Sequence, residues 1–222
     1  MAVRPVFVAD IENGKVFAKT IDFQFYNGFA KSQKQKCIES LHNAAAKKIH
    51  DIRTLEVSSF SKKPLGISLS AFNLQLSTVY GPRSVEQVYQ AGKVLEHGGP
   101  YLDLLERTSS KAKRDERLRN SGCVIGFVFD NKQYPITPTR LFYTFLYLKA
   151  LSENPELGDK VIAGRYNGFT DIVFNPQKSV NCQAYSLAVY VVLRSKGLLE
   201  TALSDMQFLT DFLLDQARIT LH

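Results

Sequence analysis

Two strongly apolar segments constrain the fold most, because both must be shielded from water. One extends from Pro138 to Leu151 and the other from Ser179 to Lys196, followed by Gly197, a residue typical of helix C-termini. Leucines and phenylalanines in the first recur at helical spacing. The longest apolar run, Leu187 to Leu193, is far shorter than the roughly 20 residues of a membrane span. The sequence therefore predicts two buried core helices.

The N-terminal region has a different pattern, which is typical of strands. β-Branched and aromatic residues alternate over Pro5 to Ala9 and over Lys15 to Tyr26, on either side of Asn13-Gly14, which predicts a β-hairpin. Further predicted strands are Arg53–Ser58, Leu74–Tyr80 and Cys123–Phe129, and further predicted helices are Lys31–His50, Val85–Leu95, Lys111–Asn120 and Ser204–Ile219. We expect a single α+β domain over residues 1–222, predominantly helical with a small β-sheet.

Composition limits the class of function. The formal net charge of +7 favours a polyanionic partner such as nucleic acid, although many basic proteins have none. The three cysteines and four histidines show no metal-ligand spacing, so we expect no metal and no cofactor. The N-terminus lacks the layout of a signal peptide and no segment suits a membrane. A cytoplasmic protein is the expectation.

One short helix groups an acid and an amine. At helical spacing, Glu86, Gln90 and Lys93 lie on one arc of the predicted helix, away from its apolar residues. Spacing alone favours an ordinary solvated face with an exposed charge pair. The pattern does not by itself indicate chemistry.

The same helix resembles a known motif. Ser84 to Lys93, which reads SVEQVYQAGK, resembles the S/T-V-E-x-x-Y-Q-x-x-K helix of the NADAR family. Leu69 to Leu74, which reads LSAFNL, is similar to the family's L-S-N-F-Y segment, with Ala71 in place of the usual asparagine. The order and separation of the two motifs also match. The resemblance implies the NADAR fold.

Four further segments resemble one branch of this family, the antitoxins paired with DarT toxins. They are Phe29–His42, Gly98–Leu105, Lys113–Gly122 and Phe169–Tyr185, so the likeness covers nearly the whole chain. The resemblance implies hydrolysis of the bond between ADP-ribose and the exocyclic amine of guanine in DNA. It also implies ADP-ribosylated DNA as substrate, ADP-ribose as product and a cognate DarT toxin as a possible partner.

The resemblance assigns the catalytic roles to three residues. Glu86 is the carboxylate that stabilises positive charge at the anomeric carbon or activates water. For Lys93 two roles stay open: a neutral amine that forms a Schiff base with the opened ribose, or a charged ammonium that pairs with Glu86 or a phosphate. Asp171 is either a second acid near the ribose or a turn aspartate that satisfies backbone amides.

Ligand contacts are expected from the two motif regions and from the polar residues that follow. The candidate ADP-ribose-binding residues are Ser70, Phe72, Asn73, Gln90, Asn175 and Gln183. Alternatives exist for several: Ser70 and Asn73 can simply close a turn, and Phe72 can belong to the core instead of stacking on adenine. A buried amide at Gln183 needs hydrogen-bond partners, and a ligand is one possible supplier.

The basic segment Lys111–Asn120 is the candidate DNA-binding face. Its candidate phosphate contacts are Lys111, Lys113, Arg114 and Arg117, with Arg119 and the lysines of the first helix as further candidates. A plain solvated surface helix is the alternative. Because the target amine is hydrogen-bonded within duplex DNA, we expect single-stranded DNA to be the preferred substrate.

Three other functions compete with this interpretation. A non-catalytic antitoxin that binds its toxin directly would retain the fold and lose the acid, whereas Glu86 and Lys93 are both present. An N-glycosidase acting on a small riboflavin-pathway metabolite is a second alternative within the family. A basic nucleic-acid-binding module without chemistry is the third, and the chain shows no RRM, zinc-finger or helix-turn-helix signature.

Overall fold

The computed structural model describes residues 1–175 and 182–219, which form a mixed α+β structure. The strands are β1 Ala2–Asp10, β2 Lys15–Phe23, β3 Thr54–Glu56, β4 Gln75–Leu76, β5 Arg83–Ser84, β6 Lys93–Leu95, β7 Val124–Phe129, β8 Lys132–Tyr134 and β9 Gly168–Thr170. The first helices are α1 Lys31–Lys48, α2 Pro64–Ser68, α3 Val85–Ala91, a 3-10 helix at Leu102–Glu106, α4 Ser109–Lys113 and α5 Arg117–Asn120. The later helices are α6 Leu141–Glu153, α7 Pro155–Ala163, α8 Gln183–Ser195, α9 Leu199–Ser204 and α10 Met206–Ile219. The predicted α+β class is confirmed.

A four-stranded sheet contains the predicted hairpin. Strands β1 and β2 pair antiparallel with Ala2 opposite Phe23, and Gly14 adopts the positive φ of 67° that their turn requires. Strand β9 pairs antiparallel with β1 and parallel with β3, in the order β2-β1-β9-β3. Two smaller sheets, β4-β5 and β6-β7-β8, accompany it, so the described residues form more sheet than the single small one predicted.

The two apolar segments form the core, as predicted. Helix α8 packs against α6 on one side and against strands β1 and β9 on the other. Side chains are buried all around α8 from Gln183 to Leu193, because both sides of this helix are covered. The prediction that α8 begins at Ser179 falls on residues outside the described part of the chain. None of the helices within residues 1–175 and 182–219 is long and apolar enough to cross a membrane.

Helix α3 ends earlier than predicted, and this changes the setting of Lys93. The helix stops at Ala91, and Lys93 is the first residue of β6, where it pairs with Phe127. Strand β7 approaches so closely that a Cβ added to Gly92 would lie 2.5 Å from the carbonyl oxygen of Val128. The prediction of a helix from Val85 to Leu95 is therefore wrong at its C-terminal end.

Other predicted elements are shorter than expected. The charged segment Lys111–Asn120 divides into α4 and α5, because Asp115 accepts hydrogen bonds from the backbone and side chain of Arg117 and thereby starts a new turn. The predicted strand Leu74–Tyr80 is reduced to β4. The last helix begins at Met206, after Asp205 has accepted hydrogen bonds from the amides of Gln207 and Phe208. The prediction of a single domain over the whole chain stays a prediction.

Candidate active site

The two sequence motifs meet at the start of α3. Ser84 and Gln87 form a capping box, in which each side chain accepts a hydrogen bond from the other residue's backbone amide, at 3.2 Å and 2.9 Å. The amide of Glu86 donates to the carbonyl oxygen of Ala71 at 2.9 Å. These bonds fix the first turn of α3 against the segment Leu69–Leu74. Glu86 is only 3% exposed, so the solvated face suggested by spacing alone is wrong.

A cavity of about 470 Å³ opens over Glu86 and collects most of the candidate residues. Its lining includes Phe72, Glu86, Gln90, Lys93, Asp171, Asn175 and Gln183 among the predicted site residues, and Lys113 and Arg119 from the basic segment. Its volume lies within the range usual for small-molecule and cofactor sites. Side chains from six separate parts of the chain therefore surround one space.

The Glu86 carboxylate is held by an amide and a cation. Gln90, one helical turn later, donates from Nε2 to Glu86 Oε1 at 2.8 Å. Lys113 Nζ lies 3.2 Å from the same oxygen. Both contacts are made to Oε1 of this buried carboxylate, and neither is made to Oε2.

Lys93 lies in a half-buried position beside this acid. Its Nζ is 4.8 Å from the centroid of the Tyr89 ring. Burial lowers the pKa of the Lys93 ammonium to about 8, while the charge of Glu86 opposes this shift and that of Lys113 adds to it. At pH 7 roughly one in ten such amines is unprotonated. Lys93 can therefore act as a nucleophile without a large further change in its pKa.

Asp171 follows β9 and meets the N-terminus of α8. Its Oδ1 accepts a hydrogen bond from the amide of Val173 at 3.1 Å, which is the turn role predicted as one alternative. Its Oδ2 accepts from Gln183 Nε2 at 2.9 Å and the residue lines the cavity. Burial raises the pKa of Asp171 above its usual range, and the hydrogen bond from Gln183 limits that rise. The turn role and a position at the cavity are thus compatible.

Ser70 and Asn73 lie outside the cavity lining. Ser70 is 1% exposed, and its hydroxyl lies 3.4 Å from Gln183 Oε1. The side-chain amide of Asn73 donates to the carbonyl oxygen of Ile67, and its backbone amide donates to the carbonyl oxygen of Ser70. Both residues therefore close the turn that carries Phe72, which was the alternative to ligand contact.

Phe72 and Lys113 form one wall of the cavity together. Lys113 Nζ lies 5.1 Å from the centroid of the Phe72 ring, as well as next to Glu86. Lys113 was predicted to contact DNA phosphates on a surface helix. That role stays a prediction, and the structure places this lysine at the cavity beside the acid.

The other basic candidates surround a separate open depression. Lys111, Arg114 and Arg117 line this second space, of about 500 Å³, together with Arg107, Ser110, Asp115 and Glu116. Arg117 bonds to both Asp103 and Asp115 and stacks over Tyr101 at 4.4 Å. Its guanidinium is therefore engaged by two acids of the protein, and its role as a phosphate contact stays a prediction. Lys111 and Arg114 are exposed.

Two buried residues near the site were not predicted from the sequence. Tyr143 of α6 lines the cavity, and burial, followed by the charge of Glu86, raises the pKa of its hydroxyl well above the usual range. Glu56, at the end of β3, is 2% exposed and contacts Thr170 and Ile172, the residues on either side of Asp171. Tyr143 is one aromatic among many in an apolar helix, so its sequence context indicates only core packing. An acid at the end of a short apolar strand was the one available signal for Glu56.

Over residues 1–175 and 182–219, no group of three or more histidine, cysteine, aspartate or glutamate residues is arranged to hold a metal ion. The expectation that the protein uses no metal stays a prediction.

Comparison with known proteins identifies the family. A family model described as the DarT1-associated NADAR antitoxin matches residues 2–220. A comparison with curated proteins found no match. Because the matched range covers nearly the whole chain, the resemblance drawn from the short motifs is confirmed.

The spacing of charges at the site predicts the effect of removing one lysine. Replacing Lys113 with glutamine removes a cation that lowers the pKa of Lys93, so that pKa should rise. NMR titration of the isotopically labelled lysine side chains measures the change. Lys111→Gln, on the same helix but at the separate depression, is the matched control and should leave Lys93 unaffected. An unchanged or lower pKa of Lys93 in Lys113→Gln would contradict this electrostatic picture.

Proposed function

The chain belongs to the DarT1-associated NADAR antitoxin family, and on that basis we propose that it hydrolyses the bond between ADP-ribose and guanine in DNA. In this role it reverses the modification made by a DarT-type toxin, and its arrangement of elements is the NADAR fold. One observation supports the proposal above all. A buried acid, a lysine with a lowered pKa and a second acid line one cavity of about 470 Å³.

Glu86 is proposed to act on the sugar. Breaking the bond between the anomeric carbon and the guanine nitrogen builds positive charge on the ribose. A carboxylate in a half-closed cavity stabilises such a charge more strongly than one in water. Because Gln90 and Lys113 both contact Oε1, we assign Oε2 to the anomeric carbon or to the attacking water.

Lys93 is proposed to be the nucleophile of a covalent route. After the ribose ring opens to an imine with the guanine nitrogen, the neutral Lys93 amine adds to the anomeric carbon. The guanine amine then leaves with the proton that Lys93 loses, and a lysine imine remains. Water adds to that imine and releases ADP-ribose, which restores the free amine. The pKa of about 8 supports this route over a purely electrostatic role.

The remaining cavity residues are proposed to hold the nucleotide. Lys113 and Arg119 supply positive charge for the pyrophosphate, and Phe72 offers an aromatic face to a base. Asp171 is placed to accept a hydrogen bond from a ribose hydroxyl or to orient water. Lys111 and Arg114, exposed on the same basic segment, are proposed to contact phosphates of a single-stranded substrate.

The first test concerns the acid. Glu86→Gln keeps the size of the side chain and removes its charge, so kcat on ADP-ribosylated single-stranded DNA should fall on the order of 10²- to 10⁴-fold. Affinity for ADP-ribose, measured by calorimetry, should change little. Glu106→Gln, at an exposed glutamate, is the matched control. A folded Glu86→Gln protein with full turnover would remove Glu86 from the mechanism.

The second test looks for the covalent intermediate. Borohydride added during turnover should reduce the imine and leave a stable adduct on Lys93, located by peptide mass spectrometry. Lys93→Arg should abolish both the adduct and turnover, whereas Lys113→Arg should still form the adduct. The Schiff base is excluded if no adduct forms and Lys93→Ala stays active.

The third test concerns the binding of DNA. Removing one cation that binds a phosphate of single-stranded DNA should reduce the slope of log affinity against log salt by about 0.7. We therefore expect a shallower slope for Lys111→Ala with Arg114→Ala, measured on a modified oligonucleotide. The double variant should turn over a free modified nucleoside at the rate of the unchanged protein. Lys19→Ala, at an exposed lysine of β2, is the control and should match the unchanged protein on both substrates. An unchanged slope in the double variant would place the DNA elsewhere.

Release of ADP-ribose from modified DNA in the absence of toxin distinguishes catalysis from a binding-only antitoxin. The same assay with a small N-glycoside of the riboflavin pathway tests the other family activity. Turnover of that metabolite but not of modified DNA would contradict the proposed DNA substrate, while the catalytic roles proposed for the cavity residues would still stand.

A further inference from the structure

Glu56 makes contacts on both sides of Asp171. Strands β3 and β9 align Glu56 with Thr170, the residue before Asp171. Glu56 Oε2 lies 2.6 Å from the Thr170 hydroxyl, and Oε1 accepts a hydrogen bond from the amide of Ile172 at 2.9 Å. Ser58 donates its hydroxyl hydrogen to Oε1 at 2.6 Å. One buried carboxyl group therefore binds the residues that precede and follow the cavity acid.

The charges around Glu56 favour its neutral form. Among the ion pairs of residues 1–175 and 182–219, none involves Glu56, and the charge that acts on it is that of the acid Asp171. Burial, and then the charge of Asp171, raise the pKa of Glu56 well above its usual range. His42 of α1 contacts the Thr170 hydroxyl, which in turn contacts Glu56. Burial and the positive charge of Lys63 lower the pKa of His42. Burial raises the pKa of Asp171 as well, but the charge of Lys113 opposes that rise, so within the pair the negative charge is favoured on Asp171.

Hydrogen-bond directions around the neutral acid are consistent. Ser58 and Ile172 both donate to Oε1, so the proton of a neutral Glu56 would lie on Oε2, where the Thr170 hydroxyl at 2.6 Å can accept it. The Thr170 hydroxyl also lies 2.8 Å from His42 Nε2 and donates to it in the tautomer that carries its hydrogen on Nδ1. Burial, aided by Lys63, lowers the pKa of His42 to about 4, so its ring is neutral and can accept this bond.

We propose that Glu56 is a positioning residue, whose neutral carboxylic acid holds Thr170 and Ile172 and thereby fixes the carboxylate of Asp171 against the cavity. This inference rests on the proposed function, because Asp171 acts there on the bound sugar. Ionisation of Glu56 reverses the bond to Thr170 and places a second negative charge beside Asp171. Activity therefore falls on the alkaline side as Glu56 loses its proton.

Glutamine is the informative replacement, since its amide reproduces the neutral acid. Its oxygen can accept from Ser58 and Ile172, and its nitrogen can donate to Thr170. Glu56→Gln should keep kcat on modified DNA within about threefold of the unchanged protein at neutral pH and lose the alkaline decline due to Glu56. Glu56→Ala should lose on the order of tenfold or more in kcat with a smaller change in affinity for ADP-ribose.

Variants at the neighbouring threonine keep the test valid if Glu56→Ala does not fold. Thr170→Val removes the hydroxyl between Glu56 and His42 and should lower kcat, whereas Thr170→Ser retains it and should restore activity. A folded Glu56→Gln protein as inactive as Glu56→Ala overturns the proposal. Full activity in a folded Glu56→Ala protein does the same.

Stability against pH tests Glu56 without any substrate. Because its pKa is higher in the folded than in the unfolded chain, the unfolded state loses the proton first. The melting temperature should therefore fall as pH rises from about 4, the value in the unfolded chain, through the folded-state pKa. Glu56→Gln should make this decline shallower. Equal profiles for the two proteins overturn the assignment of the neutral acid.

The two proposals fail in different ways. A protein that shows the expected stability profiles but releases no ADP-ribose from modified DNA contradicts the proposed function and the positioning role in catalysis. A protein that hydrolyses modified DNA, with identical pH profiles of kcat in Glu56→Gln and the unchanged chain, contradicts the Glu56 inference alone.

Discussion

The buried side-chain amide of Gln183 connects the parts of the chain on which the candidate site depends. Its Oε1 accepts a hydrogen bond from the amide of Ala71 at 2.7 Å, and its Nε2 donates to Asp171 at 2.9 Å. The carbonyl oxygen of Ala71 in turn accepts from the amide of Glu86. Hydrogen bonds to the two sides of the Ala71 backbone thus connect the side chain of Asp171, through Gln183, with the backbone of Glu86. Because unpaired buried polar groups are costly, movement of one acid disturbs the partners of the other.

The two buried glutamates have different electrostatic surroundings. Glu86 has an ion pair with Lys113 and a hydrogen bond from Gln90, whereas Glu56 has only neutral donors and an acid as its charged neighbour. Lys93 lies near one acid and one lysine, so burial decides the direction of its pKa shift. Burial and neighbouring charges therefore decide the direction in which the pKa values of Glu56 and Lys93 shift.

Local patterns predicted the elements whose formation depends on local sequence. The N-terminal hairpin has alternating residues and a turn at Asn13-Gly14, and the two apolar segments have helical spacing, so both formed as expected. The end of α3 was not predictable, since Gly92 packs there against the carbonyl oxygen of Val128 in β7, a residue distant in sequence. The division of Lys111–Asn120 likewise depends on Asp115 bonding to Arg117, which a helical charge pattern does not reveal.

By itself, the sequence determined the α+β class and the core helices. Through two short motifs it also indicated the family and named Glu86 and Lys93 as candidate catalytic residues. Spacing along one helix could not decide whether that acid was solvated, because burial depends on segments far away in the chain. Only the tertiary structure brought Lys113 to Glu86 and Glu56 to the residues that flank Asp171. These contacts join residues distant in sequence, and pairings of that kind leave no periodic signal along the chain.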